Sequence, residues 1–318
     1  MKRLLRILNE FWFPEAPAAR LAMLRILIGG WAFCLVAADY SLWVGVGHSS
    51  PLLFHPVGVV AFLSHPLRPV WNQVLITATV LASGLFVLGW RHRFVGPVFA
   101  ALLLWVLSYR QSWSMIYHSM NLPVLHILVL GLAPAADALS LDARRQRIAR
   151  GGQDPPSSWQ YGFPIQLICA VTVLAYFVTG VAKVAGPLGW HWVTGEALRS
   201  QVAADTIRKE VLGEVGSPLF FWFYSQAWLF TMMGIHTMIV ELGAPLALLN
   251  KRVGRVWAGL ALAMHWGILF LMKITFRYHL SGILYASFFD LERIPVWIKG
   301  LYARRTARLV AAQNPATH

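Results

Sequence analysis

The stretch Tyr176-Phe-Val-Thr-Gly-Val-Ala-Lys183-Val-Ala-Gly-Pro-Leu-Gly-Trp190-His-Trp-Val-Thr-Gly195 joins the end of an apolar run to a segment rich in glycine and tryptophan. The apolar run, 161–182, is long enough to cross a bilayer as a helix. A single lysine at the end of such a helix, surrounded by aromatic residues, is typical either of an anchor at the membrane interface or of an active-site base. The rest of the chain is needed to choose between these two interpretations.

The composition is that of a multi-pass membrane protein. Of the 318 residues, 58% are hydrophobic and 13% are charged, and the mean hydropathy is +0.58, whereas an ordinary soluble domain is about 25% charged. The apolar segments have the length of membrane helices and lack the short alternation of barrel strands. The net charge of +14 does not indicate nucleic acid binding, because the arginines lie at the ends of apolar segments, where they orient a membrane chain.

We therefore predict an all-α fold, a polytopic membrane helical bundle of about eight transmembrane helices with short interfacial helices. The run 218–249 is too long for one straight helix, and Gly243 and Pro245 predict that it bends, or that its first part, 218–227, lies in the interface. The predicted spans are 20–43, 71–90, 94–109, 121–139, 161–182, the bent run 218–249, 254–272 and 278–291.

The basic residues predict the orientation of the bundle. If both termini are cytoplasmic, the segments on that side carry most of the lysines and arginines, as the positive-inside rule requires. We expect a single integral-membrane domain, 1–318, in the cytoplasmic (inner) membrane of a bacterium. Its remaining parts are an interfacial helix in 1–17, a cytoplasmic loop 140–158, an outer-side loop 183–217 with a short amphipathic helix, and a basic C-terminal tail 292–318.

Lys183 is the first candidate for chemistry. As an anchor it extends its amine to the outer interface. As a base it is desolvated, and because burial disfavours the ammonium form, the neutral amine can take a proton from a phenol or a carbon acid. On the same outer side, His118 follows Trp113 and Tyr117, and Asn121 comes just after it. A histidine there can orient a partner, shuttle a proton or simply pack.

Other polar residues of the apolar segments are predicted to be structural. Glu241 lies within a span, and a buried carboxylate needs a partner, for which Arg25, His236 and His265 are candidates. Asp39 is expected to be a polar cap at the outer end of the first span. His265 lines a cavity or belongs to the core. No metal site is predicted, because the loop histidines are too widely spaced to form a ligand motif.

Several segments, in order along nearly the whole chain, resemble the transmembrane domain of vitamin K-dependent γ-glutamyl carboxylase, the horizontally transferred transmembrane (HTTM) domain. The most specific are Gly180-Val-Ala-Lys183 and Trp192-Val-Thr-Gly195, which follow His118-Ser119. The other matching features are Arg20, Arg25 and Asp39 of the first span, Trp113, Tyr176-Phe-Val-Thr, Glu241-Leu-Gly-Ala-Pro245 and Ala263-Met-His265.

The resemblance implies an activity. In the carboxylase, the lysine of the similar segment deprotonates vitamin K hydroquinone, and oxygen then converts the quinol to an epoxide. A strong base formed during this oxidation removes a proton from a glutamate side chain, which then captures carbon dioxide. By position, Lys183 matches that base and His118 matches the carboxylase histidine. The expected cofactor is thus a reduced, vitamin K-like quinone, with O2 and CO2 as co-substrates. Its expected walls and contacts are Trp113, Tyr117, Asn121, Trp190, Trp192 and His265.

The chain also departs from the carboxylase. From this sequence we expect no large β-rich luminal domain of the kind that helps the carboxylase to recognise its substrate. The segment between Lys183 and Trp192 is also longer and contains Gly186-Pro187. Quinol chemistry is therefore expected to be better preserved than carboxylation of a peptide glutamate. The alternative is a non-catalytic membrane module that binds lipid, quinone, a peptide or a partner membrane protein, with Lys183 exposed to headgroups. A transporter would need charges paired along a path through the bilayer.

Overall fold

The computed structural model describes residues 2–113, 115–149 and 151–294. No β-strand occurs in these ranges, where a single antiparallel bridge joins Ala16 to Ser158. The all-α prediction is confirmed. The α-helices are α1 (Lys2–Trp12), α2 (Ala18–Ala38), α3 (Tyr40–Val46), α4 (Pro69–Leu88), α5 (His92–Gln111), α6 (Asn121–Leu132), α7 (Leu141–Ala149), α8 (Trp159–Ala185), α9 (His191–Thr194), α10 (Glu196–Val211), α11 (Pro218–Phe223), α12 (Ala227–Leu242), α13 (Lys251–Met272) and α14 (Arg277–Leu280).

Five of these helices are long and apolar enough to cross a membrane, namely α2, α4, α5, α8 and α13. Two shorter apolar helices, His118–Leu132 and α12, accompany them. The chain is therefore a helical membrane protein. The positions of both termini remain predictions, and most of the basic tail 292–318 lies outside the described residues.

The helix boundaries follow from local chemistry. The side chain of Ser158 caps α8 by accepting a hydrogen bond from the backbone nitrogen of Gln160 at 3.2 Å. Asn250 caps α13 in the same way, accepting from Arg252 and Val253 at 3.0 Å each. The helix α6 ends at Leu132, earlier than the predicted span 121–139, because the chain turns extended before a proline.

The predicted bend in 218–249 is present. The run divides into α11, α12 and the 3₁₀ helix Ala244–Leu248, with the break at Gly243 and Pro245. The predicted eighth span, 278–291, is wrong as a single helix. It consists of α14 and the 3₁₀ helix Ile283–Phe288, separated by Gly282, whose φ of 73° is left-handed. The five residues 284–288 are buried, as non-helical backbone at membrane depth must be.

The long helix α8 lies at the centre of the bundle. It packs against α2, α6 and α12. It also packs against the 3₁₀ helices Ala244–Leu248 and Ile283–Phe288. Across α5 and α6, Gly96 faces Gly131, and a Cβ atom at Gly96 would lie 2.5 Å from the carbonyl oxygen of Gly131. Small residues let membrane helices approach this closely.

An ion-pair cluster joins α2 to the region after the last 3₁₀ helix. Nη2 of Arg20 lies 2.7 Å from Oδ1 of Asp290 and 2.5 Å from Oε1 of Glu292. Asp290 also pairs with Arg255 at 2.5 Å and with Lys251 at 3.1 Å. These contacts connect the starts of α2 and α13 to the end of the described chain.

Candidate functional site

Lys183 lies in the last turn of α8, which ends before Gly186 and Pro187. Its side chain is only 20% exposed. A cation is favoured at the C-terminal end of a helix, because the unpaired carbonyl groups carry partial negative charge there. The local sequence therefore brings the amine to the end of an apolar helix, where neighbouring elements of the fold cover most of it.

Glu241 of α12 is the partner of Lys183. Nζ of Lys183 donates a hydrogen bond to Oε1 of Glu241, whose side chain is 5% exposed. The other carboxylate oxygen, Oε2, is buried and has no hydrogen-bond partner among the described residues. Gly180, one turn before Lys183, lets α8 approach Glu241 of α12 closely, since a Cβ atom at this position would lie 2.9 Å from the Cβ of Glu241.

The predicted partners of Glu241 are thus wrong, because the tertiary packing places each of them elsewhere. Arg25 is fully buried, and its Nη2 donates to the carbonyl oxygen of Leu139 at 2.7 Å. The ring of His236 is hydrogen-bonded to the carbonyl of Leu260 at 3.1 Å. His265 belongs to the separate group of rings described below.

Trp192 forms the second contact of the lysine. Nζ of Lys183 lies 5.0 Å from the centre of the Trp192 ring, within the range of a cation–π interaction. Trp192 is on the short helix α9, which packs on α12, where a Cβ atom at Gly234 would lie 2.3 Å from the carbonyl oxygen of Trp192. The ends of α8, α9 and α12 therefore enclose the amine.

A cluster of histidine and tyrosine side chains adjoins this pair. On α13, His265 is 5% exposed, and its ring stacks on that of His279 with centroids 4.3 Å apart. The hydroxyl of Tyr176, two turns before Lys183 on α8, lies 2.6 Å from that of Tyr285 and 3.3 Å from Nδ1 of His265. Tyr176 and Lys183 share one face of α8, so the ring cluster and the ion pair lie along the same side of this helix.

The tautomer of His265 follows from its hydrogen bonds. Nδ1 lies 2.9 Å from the carbonyl oxygen of Ala261, and because a carbonyl only accepts, Nδ1 carries the proton. Nε2 is then a bare nitrogen and has no hydrogen-bond partner among the described residues. His265 thus offers an acceptor to a hydroxyl group placed next to it.

His118 reaches the ring cluster from the outer-side turn. It is exposed in the 3₁₀ helix His118–Met120, and its ring lies 5.7 Å from that of Phe276. Phe276 in turn packs edge-on against His265 at 5.2 Å. Ring contacts through Phe276 therefore connect His118 to the histidine cluster.

The other predicted quinone contacts lie apart from this group. Trp113 is 9% exposed and packs 5.1 Å from Phe54 under the loop between α3 and α4. Tyr117 and Trp190 are 51% and 63% exposed, and Asn121 is exposed at the start of α6. Among the predicted aromatic walls, only Trp192 contacts the lysine in the part of the chain that the structure describes.

Sequence reasoning missed Tyr176, Tyr285 and His279 as members of the site. The spacing of seven residues between Tyr176 and Lys183 places both on one face of a helix and could have identified the first of them. The other two lie in the broken segment that was predicted to be a spanning helix. Asp39, predicted to be a polar cap, pairs with Arg277 at 2.5 Å.

Comparison with known proteins identifies the domain. Residues 13–290 match the model of the HTTM domain, which covers most of the chain. This relates the chain to the membrane domain of vitamin K-dependent carboxylases. No curated protein and no solved structure matches the chain.

Proposed function

Because this chain belongs to the HTTM domain family, we propose that it is a carboxylase-like membrane enzyme in which Lys183 takes a proton from a reduced quinone. The observation that carries the proposal is the pairing of Lys183 with Glu241 at the closed end of α8, next to Trp192 and the histidine cluster. An anchoring lysine would extend into the headgroup region, whereas this side chain is 20% exposed and turned toward a buried carboxylate.

Glu241 makes the lysine usable as a base. A paired ammonium and carboxylate exchange one proton along their hydrogen bond, which gives a neutral amine and a neutral acid. Charges are costly in an apolar environment, so the neutral arrangement is more accessible there than in water. The neutral amine accepts the proton of a phenolic hydroxyl, and Oε2 of Glu241, which has no partner among the described residues, is available to a hydroxyl of the same ligand.

The surrounding groups fit a flat aromatic ligand with an apolar tail. Trp192 and the stacked rings of His265 and His279 provide planar surfaces, and Nε2 of His265 provides an acceptor. An apolar cleft of ≈ 240 Å³ between α10, α12 and α13 reaches Thr237, one turn from Glu241, and Met264, next to His265. A second cleft of ≈ 480 Å³ shares Met233, Gly267 and Leu271 with it and extends toward α11.

The quinol, when bound, supplies the electrons that reduce O2. The residues of this chain have separate tasks in the proposal. Lys183 removes the phenolic proton, Trp192 and the histidine rings hold the ring, and the two clefts hold the tail. His118 orients the ligand or relays the proton from the outer side. The same proposal includes coupling of quinol oxidation to the carboxylation of a glutamate-type acceptor with CO2.

The test is quinol turnover by the full-length protein in lipid nanodiscs, supplied with vitamin K hydroquinone, O2 and CO2. We expect epoxide formation that falls by about 10²–10⁴-fold in Lys183→Met. Because that variant leaves a buried carboxylate, Lys183→Met combined with Glu241→Gln is tested as well. Lys251→Met is the control, since this lysine pairs with Asp290 at 3.1 Å at the start of α13, about 21 Å along that helix from His265. Turnover in the lysine-free variants equal to that of the unmodified protein would exclude Lys183 as the base.

A further inference from the structure

A third cavity, unrelated to the proposed quinol chemistry, lies at the other end of α8. It has a volume of ≈ 850 Å³ and lies between the start of α5, the end of α6 with the turn that follows it, α7 and the start of α8. From Phe163, which lines it, to Lys183 is about 30 Å along the helix. The volume is in the upper part of the range of about 300–1,000 Å³ that is usual for small-molecule sites.

One wall of the cavity carries hydrogen-bond acceptors without donors. Nε2 of His92 lies 3.1 Å from the carbonyl oxygen of Leu130 and 3.2 Å from that of Ala133. Since carbonyl groups only accept, Nε2 holds the proton and Nδ1 is a bare acceptor. His92 is 4% exposed, and neither its Nδ1 nor Oε1 of Gln146 has a partner among the described residues. A ligand that brings N–H or O–H donors would satisfy these two acceptors.

The same cavity is lined by three charged side chains, Arg93, Asp137 and Asp142. The carboxylate of Asp142 is already used, because it accepts hydrogen bonds from the backbone nitrogens of Arg91 and His92 at 2.9 and 2.8 Å. Asp137 accepts a hydrogen bond from the hydroxyl of Tyr161 at 2.9 Å and makes no ion pair in the described ranges. Arg93, next to His92, is exposed and likewise makes no ion pair there. A ligand with one negative and one positive group would satisfy both of these residues.

Most of the other lining residues are apolar, and part of this apolar wall is exposed. Leu128, Leu132, Phe163 and Leu167 line the cavity, and Leu132 is 76% exposed. The site thus combines a polar end, close to the arginine-rich segment 140–158, with an apolar wall that continues toward the bilayer. This arrangement matches an amphiphile whose headgroup lies at that membrane surface.

We propose that the cavity binds a phospholipid with a primary-amine headgroup, of the phosphatidylethanolamine type. The phosphate pairs with Arg93 and the ammonium with Asp137, while the remaining N–H groups of the ammonium are accepted by Nδ1 of His92 and Oε1 of Gln146. A choline headgroup has the same charges but no N–H donor, and a glycerol headgroup has no positive charge. An ethanolamine headgroup supplies both the donors and the cation that this cavity lacks.

The test measures lipid binding to the purified full-length protein by native mass spectrometry. Phosphatidylethanolamine, phosphatidylcholine and phosphatidylglycerol with identical acyl chains are compared. We expect phosphatidylethanolamine to bind at least tenfold more tightly than the other two. Asp137→Asn should abolish this preference, and Arg93→Gln should weaken the binding of all three lipids severalfold. Arg144→Gln, an exposed arginine of α7 that does not line the cavity, should leave binding unchanged.

A second variant separates recognition from folding. Tyr161→Phe removes the hydrogen bond from the Tyr161 hydroxyl to Asp137 but keeps the carboxylate, so the preference for the amine headgroup should persist. If the three lipids bind equally to the unmodified protein, or if Tyr161→Phe removes the preference as Asp137→Asn does, the cavity holds only non-specific boundary lipid and the proposal is wrong.

Discussion

Gly180 of α8 lies directly against Glu241 of α12, so that a Cβ atom at Gly180 would lie 2.9 Å from the Cβ of Glu241 and 3.1 Å from the backbone nitrogen of Leu242. The absence of a side chain at this position lets the two helices approach where the Lys183–Glu241 pair forms. The geometry of the pair therefore depends on a residue that takes no part in the proposed chemistry.

We predict that Gly180→Ala destabilises the protein by about 1–3 kcal/mol, because the added methyl group overpacks the contact between α8 and α12. The thermal unfolding midpoint of the purified protein measures the effect. Gly259→Ala is the control, since a Cβ atom at Gly259 of α13 meets nothing within 4 Å. Equal midpoints for Gly180→Ala and Gly259→Ala would contradict the close approach.

We predict strong coupling between Lys183 and Glu241 in a double-mutant cycle of unfolding free energies. Lys183→Met leaves a carboxylate that is 5% exposed without its partner, and breaking a buried pair in this way costs about 3–5 kcal/mol. Combining it with Glu241→Gln removes both charges, so the double variant should be more stable than Lys183→Met alone. Additive effects of the two substitutions would show that the pair contributes little to the folded state.

We predict that Trp192→Leu lowers quinol turnover by about 2–30-fold, because a cation–π contact contributes about 0.5–2 kcal/mol. Trp190→Leu is the matched control, because this neighbouring tryptophan is 63% exposed and lies apart from the amine. The rate of epoxide formation under saturating quinol is the measurement. A loss in Trp190→Leu as large as that in Trp192→Leu would assign the effect to the loop rather than to the ring beneath Lys183.

We predict a loss of stability in acid that depends on Glu292. The hydrogen bond from Arg20 lowers the pKa of Glu292 in the folded state. In an unfolded chain, the pKa of a glutamate carboxyl is about 4.3. The pair therefore stabilises the protein fully above that unfolded value, and this contribution is lost as the pH falls through the folded pKa. Asp290 adds to the effect: its burial raises the pKa, but the Lys251 hydrogen bond and the positive charges around it lower the pKa overall.

Thermal unfolding between pH 7 and pH 3 tests this prediction. In Glu292→Gln the midpoint should be lower at pH 7 and should fall less on acidification than that of the unmodified protein. Glu10→Gln is the control, because the pair of Glu10 with Arg6 is exposed and exposed pairs contribute little. If Glu292→Gln and the unmodified protein lose the same stability between these pH values, the Arg20 contact is not a source of acid sensitivity.

Much of the architecture follows from local properties of the chain. Hydropathy alone predicts the spans that became α2, α4, α5, α8 and α13, because each is a continuous apolar run of sufficient length. Gly243 and Pro245 predict the break after α12 for an equally local reason. The predicted eighth span failed because apolar composition does not distinguish a spanning helix from a buried 3₁₀ segment, which neighbouring helices cover on all sides.

The sequence by itself determined that the chain is a helical membrane protein of the HTTM family and that Lys183 ends one of its helices, since length, apolar composition and motif order are properties of the chain. Only the tertiary structure decided that Glu241 is the partner of Lys183, 58 residues away in sequence, and that Trp192 rather than Trp190 contacts the amine. Which side chains meet across α8, α9 and α12 depends on how closely the helices approach, and that is set by packing at glycines such as Gly180 and Gly234.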